Sequence, residues 1–272
     1  MPSLRLNRTG CYRRTTMKNT PSALPIEDQN VGPDIGGGVL LSVVVPVRNE
    51  GPNVLPLIEE IGAALTGIAY EIVYVDDGST DETAATLLMA RAYQPATLVL
   101  RRHQAGCGQS AAIVTGVRAA RGQWIATIDG DGQNDPADIP RLLAQAGPAL
   151  TLIAGHRTMR WDSWVKRRTS RIANRVRAGL LHDATPDTGC GLKVFSREAF
   201  LQLPHFDHMH RYLPALFIRA GGQVMSVPVN HRPRLRGASK YGTLDRLWVG
   251  LFDLVGMYWL QRRWKRPAVE TP

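Results

Sequence analysis

The feature that most limits how this chain can fold is the run "VLLSVVVPV" at residues 39–47. Seven of its nine residues are apolar, most of them β-branched, with no polar alternation. A strand that reads this way is buried on both faces, and such strands belong to parallel sheets covered by helices on either side. The segments that follow keep the pattern. A helical stretch is expected over 53–65, a strand in "EIVYVDDGSTD" (71–81) and a third strand in "ATLVLRR" (96–102). A helix over 109–120 and a strand in "QWIATID" (123–129) come next, then a helix over 136–146 and a strand in "TLIAG" (151–155). Alternating strands and helices joined by short links give an α/β fold with a mostly parallel, doubly wound sheet. Ser79 or Thr80 is placed to cap the second helix, and Asp135 to cap the helix that Pro136 opens. Beyond Gly155 the alternation weakens, with a further strand expected over 223–229.

In such a sheet ligands bind beyond the carboxyl ends of the strands. The clusters "PVRNE", "VDDGS", "DGDGQ" and "GHR" all fall at those ends. The third of them lies in "WIATIDGDGQNDPADIP", where four aspartates crowd one strand tip in a chain of formal net charge +10. Asp129 and Asp131 are two residues apart, so in extended backbone both carboxylates reach one point, and Gln133 continues the alternation with an amide oxygen. Hard divalent cations take such oxygen ligands, commonly one or two carboxylates plus substrate phosphates. Gly130 and Gly132 leave room for a ligand beside the backbone.

Competing uses of these motifs fail on residue type. An EF-hand loop needs Gly at its sixth position and Glu at its twelfth, where this chain has Asn134 and Pro140. "GCG" at 106–108 mimics a dinucleotide-binding turn, but it lacks the third glycine and follows the third strand rather than the first. No helix-turn-helix, zinc-finger or RNA-binding signature accompanies the basic charge, which argues against a nucleic-acid partner. The histidines of "HFDHMH" (205–210) are expected outside the strand tips and structural rather than zinc-binding, and Cys190 is expected to pack rather than react.

The ordered set "VVVPVRNE", "VDDGST", "DGDGQ", "GHR", "SRIAN", "DTGCGLKVF" and "RPRLRGASKYG" resembles the family 2 inverting glycosyltransferases of GT-A fold. It is most similar to the dolichol-phosphate mannosyltransferase branch and its bacterial polyprenyl-phosphate relatives, and the likeness covers about residues 41–241. The resemblance implies a sugar transfer from a nucleotide-diphosphate donor to a polyprenyl monophosphate, dependent on Mg²⁺ or Mn²⁺. It places Pro46, Arg48, Glu50, Val75 and Asp77 around the nucleoside, with Arg48 where the family usually has Tyr. Asp129, Gly130, Asp131 and Gln133 match the D-x-D-x-Q motif: Asp129 and Gly130 border the donor diphosphate, while Asp129, Asp131 and Gln133 hold the metal. Asp131 and Arg157 are the expected catalytic residues. Arg157, Lys166 and Ser170 would receive the acceptor phosphate, and Arg234 and Lys240 would clamp the donor. A transferase using a soluble or polysaccharide hydroxyl is the alternative, with Asp187 as its candidate base.

The chain divides into an arm at 1–38, expected to be disordered, a catalytic domain at 39–243 and a C-terminal segment at 244–272. No stretch reaches the ~20 apolar residues needed to span a bilayer. The basic segments 161–182 and 247–266 mix Arg and Lys with Trp, Tyr and Leu, the composition of helices lying in a headgroup layer. The expected placement is peripheral, on the cytoplasmic face of the membrane, and a homo-oligomer contact is the other use of that apolar surface.

Overall fold

The structure is a computed structural model that describes residues 39–94, 97–147, 150–157, 177–183, 185–233 and 243–263. Seven strands form one sheet in the order β3-β2-β1-β4-β6-β5-β7. They are β1 (Leu41–Val47), β2 (Tyr70–Asp76), β3 (Leu98–Arg102), β4 (Trp124–Thr127), β5 (Thr151–Arg157), β6 (Lys193–Ser196) and β7 (Gln223–Val229). The helices are α1 (Gly51–Ala64), α2 (Thr83–Tyr93), α3 (Gln109–Ala119), α4 (Ile139–Leu143), α5 (Arg197–Leu201), α6 (Leu213–Arg219) and α7 (Thr243–Arg263).

β1 is central because its residues have a core on each side. Leu41, Val43, Val45 and Val47 pack with Val54, Leu57, Ile58 and Ile61 of α1, with Leu87 of α2 and with Leu142 of α4. Val44 turns the other way, toward Ile113 and Val117 of α3 and the aromatic group Phe195, Phe200 and Phe217. Helices therefore cover both faces, as the unbroken apolar run requires. α3 approaches so closely that a Cβ at Gly116 would lie 2.4 Å from Val44 Cγ1.

β3, β2, β1 and β4 are mutually parallel, and β5 pairs in parallel with β7. Between these two blocks runs β6, antiparallel to both β4 and β5. The sequence reading omitted this strand, and likewise α5 and α6. With only four residues after a glycine-rich turn, β6 shows no readable period. Its direction matters for the site. A strand running the opposite way starts where its neighbours end, so the turn ahead of β6 is delivered to the tips of β4 and β5.

Local chemistry at the first two tips also differs from expectation. Neither Ser79 nor Thr80 caps α2; instead Asp81 Oδ1 accepts from Thr83 N at 3.0 Å and from Thr83 Oγ1. Ser79 Oγ accepts from Asn49 N, and Asn49 Oδ1 from Thr80 N, lacing the end of β1 to the end of β2. Asp135 does cap the turn at Pro136–Asp138, accepting from Ala137 N.

The opposite ends of the strands hold a buried polar knot. Glu71 is fully buried, accepting from Ser42 Oγ at 2.7 Å and from both the backbone N and Nε of Arg121. Ser42 Oγ in turn accepts from Gly122 N. Glu71→Ala strips these donors of their shared acceptor in a buried place, and is expected to cost about 2–4 kcal/mol. Urea denaturation is the check, with ligand affinity unchanged because the knot lies at the far end from the charged strand tips.

Candidate functional site at the carboxyl ends of the strands

Three of the tips meet around one cleft. On the β1–β2 side, Arg48 is exposed and lies over Gly106 of the β3–α3 loop, where a Cβ would come within 2.5 Å of its Nη1. Glu50 accepts from Asn53 Nδ2 at 2.7 Å while its own N–H donates to Thr83 Oγ1. Asp77 is committed inward. Its Oδ1 accepts from Cys107 N and faces His103 Nδ1 at 2.7 Å, and its Oδ2 accepts from Gly108 N. His103 Nε2 is bonded in turn to Thr115 Oγ1. Asp77, His103 and Cys107 bring ligand-type atoms within 4.8 Å of one another. With both carboxylate oxygens already used, this trio reads as a brace for the loop. Val75 is wholly buried in the core around α3, so at this tip it can offer only backbone.

Beyond β4, the "DGDGQ" turn gathers the predicted metal residues. Asp129 Oδ1 accepts from Gln109 Nε2 at 2.8 Å, and Asp131 Oδ1 accepts from Gln133 N at 3.1 Å. Burial, reinforced by the Asp131 charge, pushes the Asp129 pKa up to about 6, against the pull of Lys193 and Arg157. Glycine is obligatory beside it. A Cβ at Gly191 would sit 2.2 Å from Asp129 Oδ2, and one at Gly130 would sit 2.3 Å from Val47 Cγ1. Gln133 points its amide nitrogen at the Arg232 carbonyl at 3.4 Å, and its own carbonyl accepts from Arg232 N. Arg232 also reaches Glu60 and Asp135. The turn is thereby tied to the segment after β7.

At the end of β5, Arg157 donates through Nε and Nη2 to the two oxygens of Asp187 at 2.7 and 2.8 Å. Burial opposes the Arg157 cation, but these bonds outweigh it and hold its pKa above the ordinary value. Asp187 is the residue named above as a candidate base. It is almost fully buried and locked in this bidentate pair.

A cavity of about 370 Å³ opens next to Asp129. It is lined by Gln109, the turn Thr188–Gly191, Lys193, His210 and Arg211, among others. Lys193 stands opposite Thr127 in the β4–β6 register and is 3% exposed, its ammonium donating to the Cys190 carbonyl. Burial lowers its pKa, opposed by Cys190, Asp129 and Asp187. His210 Nδ1 is 2.8 Å from Ser110 Oγ, and burial, aided by Arg211, Lys193 and His208, pushes its pKa well below the ordinary value. The "HFDHMH" segment thus reaches the strand tips after all, contrary to the sequence reading, because the turn at Met209–Arg211 packs against α3. Cys190 is fully buried with its thiol pKa raised by burial, a packing residue as expected.

The structure accordingly brings together Asp129, Gly130, Asp131, Gln133 and Arg157, with Pro46, Arg48, Glu50 and Asp77 at the neighbouring tips. Lys166, Ser170, Arg234 and Lys240 lie outside the described residues. Gln109, Lys193, His210 and Arg211 were missed. Lys193 could have been found from "GLKVF", where one lysine interrupts an otherwise apolar run.

Residues 42–203 match the family described as Glycosyl transferase family 2. A dodecaprenyl-phosphate galacturonate synthase from Rhizobium johnstonii is 36% identical over 237 residues, covering 84% of this chain and 69% of its own length. An undecaprenyl-phosphate 4-deoxy-4-formamido-L-arabinose transferase from an Enterobacter species is 36% identical over 217 residues, covering 79% of this chain and 66% of its own. The chain thus spans about two thirds of the length of these relatives. Among solved structures, glucosyl-3-phosphoglycerate synthase from Mycobacterium tuberculosis with Mn²⁺, uridine diphosphate and phosphoglyceric acid superposes with a TM-score of 0.63 at 20% identity. That match covers 84% of this chain and 80% of the other. Its complex with Mg²⁺ and uridine diphosphate gives 0.60 at 18% identity, covering 83% and 79%. With the fold and the family match in agreement, the chain belongs to glycosyl transferase family 2: it is a glycosyltransferase with the GT-A fold.

Proposed function

We propose that this chain moves a sugar from a nucleoside-diphosphate donor to the phosphate of a polyprenyl monophosphate, with inversion and with a divalent ion at the tip of β4. One observation carries the choice of acceptor. Among the described residues lining the cavity, Asp129 is the only carboxylate, and the nearby Asp187 is held in two bonds by Arg157. A hydroxyl acceptor needs a positioned base, a carboxylate or an imidazole, and the imidazole lining this cavity, His210, already bonds Ser110 Oγ through Nδ1. A phosphate monoester, with its second pKa near 6, is already ionised at neutral pH and needs none. The names of the two relatives point the same way.

The donor set suits Mg²⁺ or Mn²⁺. Asp129 and Asp131 are two residues apart on one turn, and Asp129 is a desolvated carboxylate whose charge is costly without a cation. Bound there, the ion would neutralise the leaving diphosphate. Gln109 orients Asp129, Gln133 fixes the turn, and Gly191 gives the carboxylate its space. An acceptor phosphate oxygen forms the bond to the anomeric carbon as the bond to the diphosphate oxygen breaks. The nucleoside diphosphate departs with the electron pair, and no proton changes hands.

For the lipid, we place the protein on the cytoplasmic face, where nucleotide sugars are available. Among the described residues no helix is long and apolar enough to cross a membrane. α7 instead exposes Leu251, Phe252, Val255 and Trp259, from 53% to 74%, and ends in Arg262 and Arg263 stacked over Tyr258 and Trp259. Apolar bulk beside arginines suits the surface of an anionic bilayer.

Asp131→Ala is expected to lower transfer by roughly 100-fold or more even in saturating Mn²⁺, because a group acting on the leaving charge is lost. Turnover with a short polyprenyl phosphate measures this, and wild-type rates in the variant would refute the metal assignment. Without metal, Asp129 binds a proton more readily folded than unfolded between pH 3.8 and about 6. Its contribution to stability is therefore full below pH 4 and is lost as the pH rises through 6. Asp129→Asn should raise the melting temperature of the metal-free protein by about 5 °C at pH 7.5 and leave it unchanged at pH 4. Phe252→Glu with Trp259→Glu should reduce sedimentation with anionic vesicles by roughly 10-fold or more, since each burial lost is worth 1.5–3 kcal/mol. An unchanged vesicle partition, with an altered sedimentation coefficient in free solution, would instead assign this face to self-association.

A further inference from the structure

We infer that Lys193 and Arg211 form the phosphate-binding half of the acceptor site, receiving the acceptor's phosphate within the cavity beside Asp129. This rests on the polyprenyl-phosphate reading and deepens it. The family resemblance pointed to Arg157, Lys166 and Ser170 for this task; the latter two lie outside the described residues, and Arg157 spends Nε and Nη2 on Asp187. Among the described residues lining the cavity, two cations, Lys193 and Arg211, have donors to spare. The Lys193 ammonium has three protons and, among the described residues, one acceptor, the Cys190 carbonyl. The guanidinium of Arg211 makes no hydrogen bond or ion pair among the described residues. Both line the cavity.

The local charge balance asks for an anion. Asp129 is the sole acidic group among the described residues that line the cavity, and once it serves a divalent ion, none of the others offsets Lys193 and Arg211. A buried ammonium with unfilled donors is expensive to maintain unless a ligand completes it. His210 adds a neutral imidazole bonded to Ser110, so it contributes hydrogen bonding without more charge. The cavity volume of about 370 Å³ falls within the range of small-ligand sites, about 300–1,000 Å³. Its walls come from opposite quarters of the fold: Asp129 from β4, Lys193 from the start of β6, and Arg211 from the turn at Met209–Arg211 before α6. A phosphate between Lys193 and Arg211 would lie in the cavity that Asp129, the residue assigned above to the metal, also lines. Such positioning replaces the base that a hydroxyl acceptor would need.

The test separates the acceptor's phosphate from the donor's. Lys193→Met and Arg211→Leu are compared with wild type and Lys193→Arg, varying nucleotide sugar and short polyprenyl phosphate independently. Removing a charged hydrogen bond should raise the acceptor KM by roughly 10- to 100-fold, with the donor KM within about twofold of wild type, while Lys193→Arg keeps most of the acceptor affinity. A rise in donor KM with the acceptor KM unchanged would overturn the inference, assigning both cations to the diphosphate; unchanged constants would also overturn it. Because Lys193 is buried and its Met variant could fail to fold, a second measurement uses the partly exposed Arg211. Inorganic phosphate should raise the melting temperature of the wild-type protein, and this shift should vanish in Arg211→Leu; a shift retained there counts against the inference. A wild-type protein that glycosylates no polyprenyl phosphate with any donor would refute the proposed function. The phosphate shift and its loss in Arg211→Leu would then still judge the anion pocket alone.

Discussion

The site turns on the Asp129 carboxylate, which is half-buried at the cavity edge and partly withdrawn from water. A carboxylate in bulk solvent holds its charge at little cost and binds a divalent ion weakly; one that is desolvated beside a second carboxylate is poised for a cation. Here the desolvation has an identifiable source. The turn before β6 folds down on Asp129, and Gly191 meets it so closely that no side chain would fit. Gln109 supplies a neutral donor, and Lys193 and Arg157 stand near enough to offset part of the cost. The charges alternate across the cleft, from Asp131 and Asp129 to Lys193 and on to the Arg157–Asp187 pair. Removing the Lys193 cation would leave Asp129 with less to offset its charge, whereas neutralising Asp129 relieves its own burial and its repulsion with Asp131.

That arrangement follows from strand direction. In a purely parallel sheet every tip would be followed by a link to a helix, and the end of β4 would face another link. Placing β6 antiparallel between β4 and β5 puts the beginning of a strand beside the end of one, so residues 187–193 arrive as a short turn against the tips. The Thr127–Lys193 register and the bond from Thr127 Oγ1 to the Gly191 carbonyl, 2.7 Å, hold this turn in place. Arg177 secures its outer part through Thr188 and the Thr185 carbonyl. The sheet thus serves as a rigid frame, and the chemistry sits on segments too short to drift.

How far the sequence disclosed this varied with the physical origin of each signal. Strands buried on both faces announce themselves through continuous β-branched runs, so β1, β2, β4 and the parallel architecture were legible, as was the D-x-D spacing at the tip of β4. The Asp135 cap was legible too, since Pro136 leaves few other roles for it. β6 was not, because four residues after two glycines carry no period. The caps at α2 misled for a different reason: Ser79, Thr80 and Asp81 are all competent acceptors, and which one caps is settled by the contact between the β1 and β2 tips. Lys193 and Arg211 were passed over because their neighbours do not set them apart, while His210 was weighed with its histidine cluster and read as lying outside the strand tips. What makes them notable is a cavity assembled from three distant parts of the chain, and only folding creates that.

The identities of the missed residues say something about the reaction. An enzyme that deprotonates a hydroxyl needs a carboxylate or an imidazole free to take a proton at the point of attack. Among the described residues that line this cavity, Asp129 bonds Gln109 and His210 bonds Ser110, Lys193 and Arg211 are cationic, and the nearby Asp187 is held by Arg157. A cation is of no use for removing a proton, but it is well suited to holding a nucleophile that arrives already charged and to relieving its repulsion against a departing diphosphate. The same inventory would serve an uncharged hydroxyl acceptor poorly, because Lys193 and Arg211 would then remain buried or half-buried with nothing anionic to bind. Placing cations where a base would otherwise stand is the physical basis for reading this fold as a phosphate-glycosylating one rather than a hydroxyl-glycosylating one.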